Sequence, residues 1–472
     1  MSLDPNQFRS QAEAALADPE LQQALAQASS GFAAKRRDAI NLVSDFELLK
    51  HRAQQAKQKA LAHLPNYLEA FENNVIQQGG QVHWAETPDQ LNQIVLAICE
   101  QQQAQLVTKG KSMISEETQL NAFLEKHNIR VAETDLGEYI IQLAKERPSH
   151  IIAPAIHKTR FQVEDLFKQA HDLGARALGE IRALVDEART MLRQDFLAAD
   201  VGITGANLLV ADTGSVVLVT NEGNGDLTAT LPKVHIVTAS IEKIVPDMAS
   251  AADVLNVLAR SATGQAMSAY TTFFNGPKRT DDHDGPEQFH VILLDNHRSE
   301  LLGSKYQSML SCIKCGACLN HCPVYQSVGG HAYGWVYPGP MGSVLTPLMT
   351  GLDQSIPLPN ASTFCGRCEA VCPMEIPLPD LLRELRNDQF QQGLADNKSR
   401  ILLRFHGWLL NRPKLYHGFN KMAVRGIHWL TSIGPLKGTI QKVLGKKMER
   451  QLPLPQDSKT FLSQWQNKNH DK

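Results

Sequence analysis

The sequence has no long apolar run, since no stretch reaches the roughly 18 residues that a membrane-spanning helix needs. Its first residues are polar and acidic, without the charged-then-apolar pattern of a secretory signal. Charge of one sign is also missing, because the 472 residues carry a formal net charge of −2. We expect a soluble, cytoplasmic protein, either free or peripheral at the inner face of the membrane, with no nucleic-acid partner.

Cysteine is sparse, and this sparseness is informative. There are eight cysteines, and only Cys99 lies outside residues 312–372. A secreted disulfide framework would spread its cysteines through a smaller chain. Cys99 lies on an apolar helical stripe, LNQIVLAICE, and we expect it to be a buried core residue.

The first cysteine motif is CIKCGACLNHCP, which contains Cys312, Cys315, Cys318 and Cys322. This is the C-x2-C-x2-C-x3-C-P run of bacterial ferredoxins. Three thiolates two residues apart lie on one loop and wrap one cluster. The fourth points away, and in two-cluster proteins it serves the other cluster.

The second motif, CGRCEAVCP, matches the last three cysteines of the same pattern, and Ser362 stands where the first would be. Cross-ligation then predicts two ligand sets. The first set is Cys312, Cys315, Cys318 and Cys372. The second set is Cys322, Cys365 and Cys368, which leaves one iron without a cysteine.

Two alternatives concern the metal. Zinc also binds CxxC pairs, but it does not require a third cysteine two residues on or a Cys-Pro after three. For the second cluster we favour [4Fe–4S] with Ser362, water or another fourth ligand, and [3Fe–4S] is the rival. Two adjacent one-electron clusters predict an electron-transfer protein that joins a two-electron donor to a one-electron or membrane acceptor.

The composition and the pattern of apolar residues change along the chain and suggest four regions. Residues 1–75 read as a helical N-terminal arm. Residues 76–300 alternate β-rich runs (QLVTKGKS, IRVAET, SVVLVT, VHIVTAS, HVILLDN) with helical stretches, which indicates an α/β domain with a mainly parallel sheet. Residues 301–385 form the dicluster ferredoxin-type domain, and residues 386–472 form a helical C-terminal tail.

Three glycine-bearing turns could bind a small carboxylate or phosphate through backbone N–H groups. They are Lys109–Ser112, Gly202–Asn207, and the pair Thr213–Ser215 with Asn221–Gly225. None is a P-loop or a G-x-G-x-x-G fingerprint, and glycine turns are needed at strand ends in any case.

The C-terminal tail is strongly basic, with twelve Lys/Arg and one acidic residue between Lys398 and Arg450. Tryptophans 408 and 429 are interleaved with these residues. The pattern fits a helical segment that meets an anionic membrane surface or an acidic partner subunit. The alternative is a solvated basic helix pair on the protein's own surface.

Taken together, KGKSM (109–113), GITGAN (202–207), ADTGSVVLVTNEGNG (211–225), DGPEQFHVILLDN (284–296) and the two cysteine motifs closely resemble the lactate utilization protein B (LutB) family. The resemblance runs over nearly the whole chain. It implies a LUD domain over 76–300, similar in fold to the isomerase and CoA-transferase group. It also implies the two ligand sets given above, two clusters, and LutA-like and LutC-like partners.

The implied function is electron transfer in a complex that oxidises L-lactate to pyruvate. The chain has no flavin or nicotinamide fingerprint, and an iron–sulfur cluster alone accepts a hydride poorly. We therefore expect an electron-transfer subunit, with a quinone reductant as a further partner. A lactate site in the α/β domain would use Lys109 or Lys111. The alternatives are a subunit of another 2-hydroxy-acid:quinone oxidoreductase, and a small-anion-binding protein with structural clusters.

Overall fold

The computed structural model describes residues 4–174, 176–394, 397–432 and 458–470. The chain divides into two compact units, Met1–Gln391 and Gln392–Lys472. None of the helices in the described ranges is both long enough and apolar enough to cross a bilayer.

The first unit is built on a six-stranded, fully parallel sheet in the order β1-β10-β7-β4-β2-β3. Its strands are β1 (Gln81–Ala85), β2 (Leu106–Lys109), β3 (Arg130–Glu133), β4 (Val201–Gly205), β7 (Val234–Ser240) and β10 (Gln288–Leu294). Every residue of β4 and β7 is buried, as expected for strands covered by helices on both faces. The predicted α/β class and parallel sheet are confirmed.

A second, four-stranded sheet lies beside it, in the order β8-β5-β6-β9. Its strands are β5 (Leu208–Val210), β6 (Ser215–Thr220), β8 (Ile244–Val245) and β9 (Tyr270–Phe274). The β5–β6 and β6–β9 pairs are antiparallel. The strand predicted at SVVLVT therefore exists, but it belongs to this smaller sheet.

The strand order places a switch point between β2 and β4. From β2 the chain moves outward to β3, whereas from β4 it moves the other way to β7 and then β10. The loops that follow β2 and β4 therefore diverge and leave a crevice at the carboxyl ends of the strands. The Gly110 amide, just after β2, donates to the Ile203 carbonyl of β4 at 2.8 Å and holds the rim of this crevice.

Seventeen α-helices are described in the first unit and cover the sheets and the cysteine loops. They are α1 (Phe8–Ala17), α2 (Pro19–Asn41), α3 (Phe46–Ala62), α4 (Leu64–Gln77), α5 (Pro88–Gln101), α6 (Met113–Glu117), α7 (Leu120–Lys126), α8 (Leu136–Leu143), α9 (Arg160–Ala170), α10 (Ile181–Ala198), α11 (Asn224–Thr230), α12 (Met248–Ala262), α13 (Ala317–Asn320), α14 (Pro323–Val328), α15 (Gly339–Thr350), α16 (Arg367–Ala370) and α17 (Leu378–Gln391). Cys99, on α5, is fully buried as predicted.

The N-terminal helices are not a detached arm. Ala15 of α1 and Phe46 of α3 belong to the same hydrophobic core as Met309, Tyr337 and Cys372. Helices α1 to α4 account for most of residues 8–77, and through Ala15 and Phe46 they pack around the cysteine region.

The C-terminal unit contains three described helices, α18 (Asn397–Leu410), α19 (Pro413–Ser432) and α20 (Phe461–His470). Helix α18 ends just before Pro413, which opens α19, because proline fits the first turn of a helix and not its interior. Residues 397–432 contain no acidic residue. The remainder of the predicted basic segment, residues 433–450, lies outside the described residues.

A buried ion cluster surrounds the last residue of β2. Lys109 is fully buried, and its ammonium contacts Glu133 at 2.9 Å, Glu116 at 3.2 Å and Glu138 at 3.7 Å. Burial raises the pKa of both Glu133 and Glu138. The lysine therefore serves as the internal counter-ion of this carboxylate group.

We expect Lys109→Met to lower the free energy of unfolding by about 3–5 kcal/mol at pH 8, because it leaves buried carboxylates without their cation. The loss should shrink at pH 5, where the raised pKa values let the carboxyls take up protons. Urea unfolding under anaerobic conditions, followed by circular dichroism, measures it. The exposed Lys168, replaced in the same way, is the control and should leave the midpoint unchanged. Equal losses at pH 5 and pH 8 would contradict the assignment.

Candidate metal centre and adjoining cavity

The first cysteine loop is shaped by two residues with positive φ. Lys314 has φ +54° and Gly316 has φ +74°. These angles curl the backbone so that the Lys314 amide donates to Cys312 Sγ at 3.4 Å. Helix α13 begins directly after Gly316 and carries Cys318. The local sequence thus turns three cysteine side chains around one loop.

Four thiols line one small cavity: those of Cys312, Cys315, Cys318 and Cys372. The remainder of the lining is largely apolar and includes Met309, Met341, Met374, Ile376 and Leu378. The chain after α16 brings Cys372 to the first loop, and the Ile376 amide donates to its Sγ at 3.5 Å. The grouping is the one that ferredoxin spacing predicts for the first cluster.

The electrostatics of this cavity favour a bound cation. Burial raises the pKa of Cys312 to about 11 and that of Cys315 to about 12, and in both cases the neighbouring Cys372 adds to the rise. Four buried thiolates would repel one another unless a metal neutralised them. An apolar cavity with four thiols suits an iron–sulfur cluster or zinc.

The second cysteine loop repeats the backbone of the first at an offset of 50 residues. Phe364 has φ +54° and Gly366 has φ +76°, and helix α16 follows. The Phe364 amide donates to Ser362 Oγ at 3.1 Å, the same bond that the first loop makes to Cys312 Sγ. Ser362 therefore stands at the position of the missing cysteine, as the spacing predicts.

The remaining three cysteines form a second group near the surface. Burial raises the pKa of Cys368 to about 11, and the charge of Cys322 adds to the rise. Burial raises the pKa of Cys322, and the charge of Cys365 adds to the rise. Cys365 itself is exposed, and a hydrogen bond from the Arg367 amide lowers its pKa. The structure thus divides the seven cysteines into four that line one cavity and three others, of which Cys365 reaches solvent.

A second cavity, of about 210 Å³, lies in the crevice at the carboxyl ends of β2 and β4. Three predicted turns contribute to its lining, through Gly110–Ser112, Thr204–Asn207 and Asn221–Gly225. The Thr213–Ser215 turn does not; it lies against α4, where Gln78 donates to the Thr213 carbonyl at 2.5 Å. Ile313 and Lys314 line both this cavity and the cysteine cavity. The two cavities therefore share one wall.

The two lysines predicted for an anion site have different fates. Lys109 is absent from the lining and is neutralised by its three carboxylates, so it is not available to an external anion. Lys111 lines the cavity, where its ammonium donates to the Ile152 carbonyl at 2.6 Å and lies 3.5 Å from Asp135.

A buried ionic network that the sequence does not predict lies under the shared wall. Arg298 contacts Glu117 at 2.8 Å and Glu242 at 2.9 Å, and Lys314 lies 3.4 Å from Glu242. Burial would raise the pKa of both glutamates, but Arg298 and Lys314 outweigh it and lower both values, so both are ionised. Of the residues in this network, only Lys314 could be singled out from the sequence, because it lies inside the first cysteine motif.

Lys57 and Lys243 add two further cations to this network. Lys57 is almost fully buried and donates to the carbonyl oxygens of Glu242 and Ile244. Lys243 lines the larger cavity, and burial together with the Lys314 charge lowers its pKa to about 7. The wall between the cavities is therefore rich in positive charge.

Comparison with known proteins agrees with this architecture. A LUD domain model matches residues 68–294, and a 4Fe-4S dicluster domain model matches residues 308–376. The lactate utilization protein B of Bacillus velezensis is 42% identical over 391 residues, 82% of each chain. That of Bacillus subtilis is 39% identical over 425 residues, 90% of this chain and 88% of the relative.

A third relative has a less specific name. It is the uncharacterized electron transport protein YkgF of Escherichia coli, 38% identical over 432 residues, 91% of this chain and 90% of the relative. Identity at this level, spread over most of each chain, covers both the parallel sheet and the cysteine loops. This chain therefore belongs to the lactate utilization protein B family, and it contains a LUD domain followed by a 4Fe-4S dicluster domain.

Proposed function

We propose that this protein is the iron–sulfur electron-transfer component of a complex that oxidises L-lactate to pyruvate. The observation that carries the proposal is the grouping of seven cysteines into a set of four that lines one cavity and a set of three that includes the exposed Cys365. The names of the relatives support lactate utilization as the setting, and electron transport as the role.

Two clusters fit the two groups. Cys312, Cys315, Cys318 and Cys372 would hold the first as [4Fe–4S]. Cys322, Cys365 and Cys368 would hold the second, with the Ser362 hydroxyl or water at its fourth iron, and [3Fe–4S] is the alternative. When bound, each cluster supplies one-electron transfer. The amides of Lys314 and Ile376 stabilise negative charge on the first set through N–H···S bonds.

The two cysteine groups would form the two ends of the proposed electron path. The first group adjoins the cavity of about 210 Å³, and the second group reaches solvent through Cys365. Electrons would enter at the first cluster and leave from the second to a partner. LutA-like and LutC-like subunits are the proposed partners in the complex, and a quinone reductant is the proposed acceptor.

The C-terminal unit supports a membrane-facing role. Large apolar side chains on α18 and α19 are exposed, among them Ile401 (69%), Met422 (74%) and Trp429 (65%). With basic residues and no acidic ones between them, these helices suit an anionic lipid surface. We propose that this unit brings the cytoplasmic protein to the inner face of the membrane.

Metal content tests the cluster assignment. Anaerobically purified protein should hold about seven to eight irons with matching sulfide, and dithionite should give reversible EPR signals. Cys372→Ala should lose the first cluster's signal, because it removes a ligand that no neighbour replaces. Cys99→Ala, at the buried cysteine outside the motifs, should keep both clusters. Zinc in place of iron would overturn the electron-transfer function.

The setting is tested with the whole complex. L-Lactate should reduce the clusters of the chain, followed by EPR, only when the partner subunits are present. Growth of a deletion strain on L-lactate should fail while growth on glycolate persists. Failure on glycolate alone would favour another 2-hydroxy acid. Clusters that neither dithionite nor ferricyanide changes would indicate a structural role.

Ser362 allows a selective change at the second cluster. We expect Ser362→Cys to lower the reduction potential of that cluster, because a fourth thiolate adds negative charge, while the first keeps its potential. Redox titration followed by EPR measures both. Ser10→Cys, an exposed serine on α1, is the control and should change neither. A shift of both potentials, or of the first alone, would refute the placement.

Vesicle binding tests the C-terminal unit. The full chain should cosediment with phosphatidylglycerol vesicles more than with phosphatidylcholine vesicles, and less as salt rises. Replacing Lys414, Lys421 and Arg425 by serine should reduce this binding several-fold. A control with Lys168, Arg182 and Arg189 replaced by serine removes the same charge from α9 and α10. Equal loss in both variants would argue against a localised surface.

A further inference from the structure

We propose that the cavity of about 210 Å³ at the β2/β4 switch point binds a small 2-hydroxymonocarboxylate, with Lys243 as the cation for its carboxylate and Asn224 as the acceptor for its hydroxyl. This inference rests on the proposed function and assigns to this chain the ligand site nearest its first cluster. Its support comes from the position of the cavity, the charges in its lining, two unpartnered polar atoms and the wall shared with the cysteine cavity.

The first step is position. In open parallel sheets, ligands bind at the carboxyl ends of the strands, where the chain leaves neighbouring strands in opposite directions. The cavity has this location, between the loops that follow β2 and β4. Its volume is below the roughly 300–1,000 Å³ of pockets for drug-sized ligands, so it suits a molecule of a few heavy atoms.

The second step is charge. The cavity lining contains three lysines, Lys111, Lys243 and Lys314, and two acids, Asp135 and the exposed Glu222. Lys111 is paired with Asp135, and Lys314 with Glu242. Within the part of the chain that the structure describes, the Lys243 ammonium has no carboxylate within 4 Å and no hydrogen-bond partner. A single anionic group would complement the Lys243 side chain and favour its charged form.

The third step is a pair of unanswered polar atoms. Asn224 is only 7% exposed and lines the cavity, and its Oδ1 has no hydrogen-bond donor among the described residues. Its Nδ2 donates to Thr134 Oγ1 at 3.4 Å, which fixes the amide with the oxygen as the open acceptor. Thr220 Oγ1, also in the lining, has no partner there either. A ligand hydroxyl answers the Asn224 acceptor, since buried polar groups in proteins are normally satisfied.

The fourth step is the shared wall. Lys314 lines this cavity, and its backbone amide bonds Cys312 Sγ in the neighbouring one. An anion bound beside Lys243 would therefore place negative charge on the other side of the wall that Lys314 forms beside the first cluster. Because cluster potentials depend on local charge, ligand binding should lower the potential of the first cluster more than that of the second.

The experiment is anaerobic calorimetry on the purified, cluster-containing chain, titrated with L-lactate, pyruvate and propionate. Saturable binding of L-lactate, at least tenfold tighter than that of propionate, is expected, because propionate leaves the Asn224 acceptor unanswered. Lys243→Met should weaken L-lactate at least tenfold, and Lys243→Arg should restore part of the affinity. Lys233→Met is the matched control, since Lys233 is exposed at the amino end of β7, on the opposite edge of the sheet.

Asn224→Ala separates the two contacts. It should weaken L-lactate to the affinity of propionate and leave propionate unchanged, whereas a merely structural role would weaken both. Iron content and EPR of each variant show whether it has folded with its clusters. The inference is overturned if wild type binds no L-lactate, or if the Lys243→Met and Lys233→Met variants bind it alike.

Redox titration with and without saturating L-lactate completes the test. A selective downward shift of the first potential supports the shared wall, and equal shifts of both potentials contradict it. The two proposals fail separately. Clusters that cannot be reduced would defeat the electron-transfer function while calorimetry still reported binding. Reducible clusters without L-lactate binding would leave the function intact and place the ligand on another subunit.

Discussion

The structure depends on the meeting of two distant stretches of chain around one set of thiols. Cys372 reaches the loop of Cys312 to Cys318 across a segment of more than fifty residues, and that segment forms much of the surrounding core. Burial keeps these thiols neutral in an apolar cavity, so a bound metal core would be what ionises them and joins the two stretches of chain. Because Ala15 and Phe46 share this core, the packing of the N-terminal helices is tied to that of the cysteine region.

Charge balance is the second theme, and the two lysines of the KGKS turn illustrate it. Lys109 is consumed by three internal carboxylates, whereas Lys111 stays at the cavity. Around Lys109 the carboxylates outnumber the lysine. In the network under the shared wall the basic side chains instead outnumber the two ionised glutamates. An all-cysteine cluster is an anion, and this excess is suited to it. The protein thus keeps positive charge where electrons would be stored.

The sequence predicted what is local and missed what the topology assembles. Ligand spacing is fixed within a loop, so the two cysteine groups and the position of Ser362 followed from the motifs. The order of strands is not a local property, so the β6 strand was expected in the parallel sheet and lies in the second one. The same limit hid Lys243, which lines one cavity with the predicted Asn221–Gly225 turn only because β6 and β7 bring their loops together. Lys109 was misjudged because a lysine at a strand end can point either to solvent or into a helix layer.

The exposure of Cys365 has a consequence for the reaction of the protein with air. Dioxygen attacks a cluster where solvent reaches it, and Cys365 is exposed whereas the other six cysteines of the two motifs are buried or half-buried. Oxidative damage would begin at the three-cysteine end, where the proposed second cluster would also have one iron without a thiolate. If electrons leave through that cluster, its loss would separate the proposed first cluster from the acceptor before the first cluster itself was damaged.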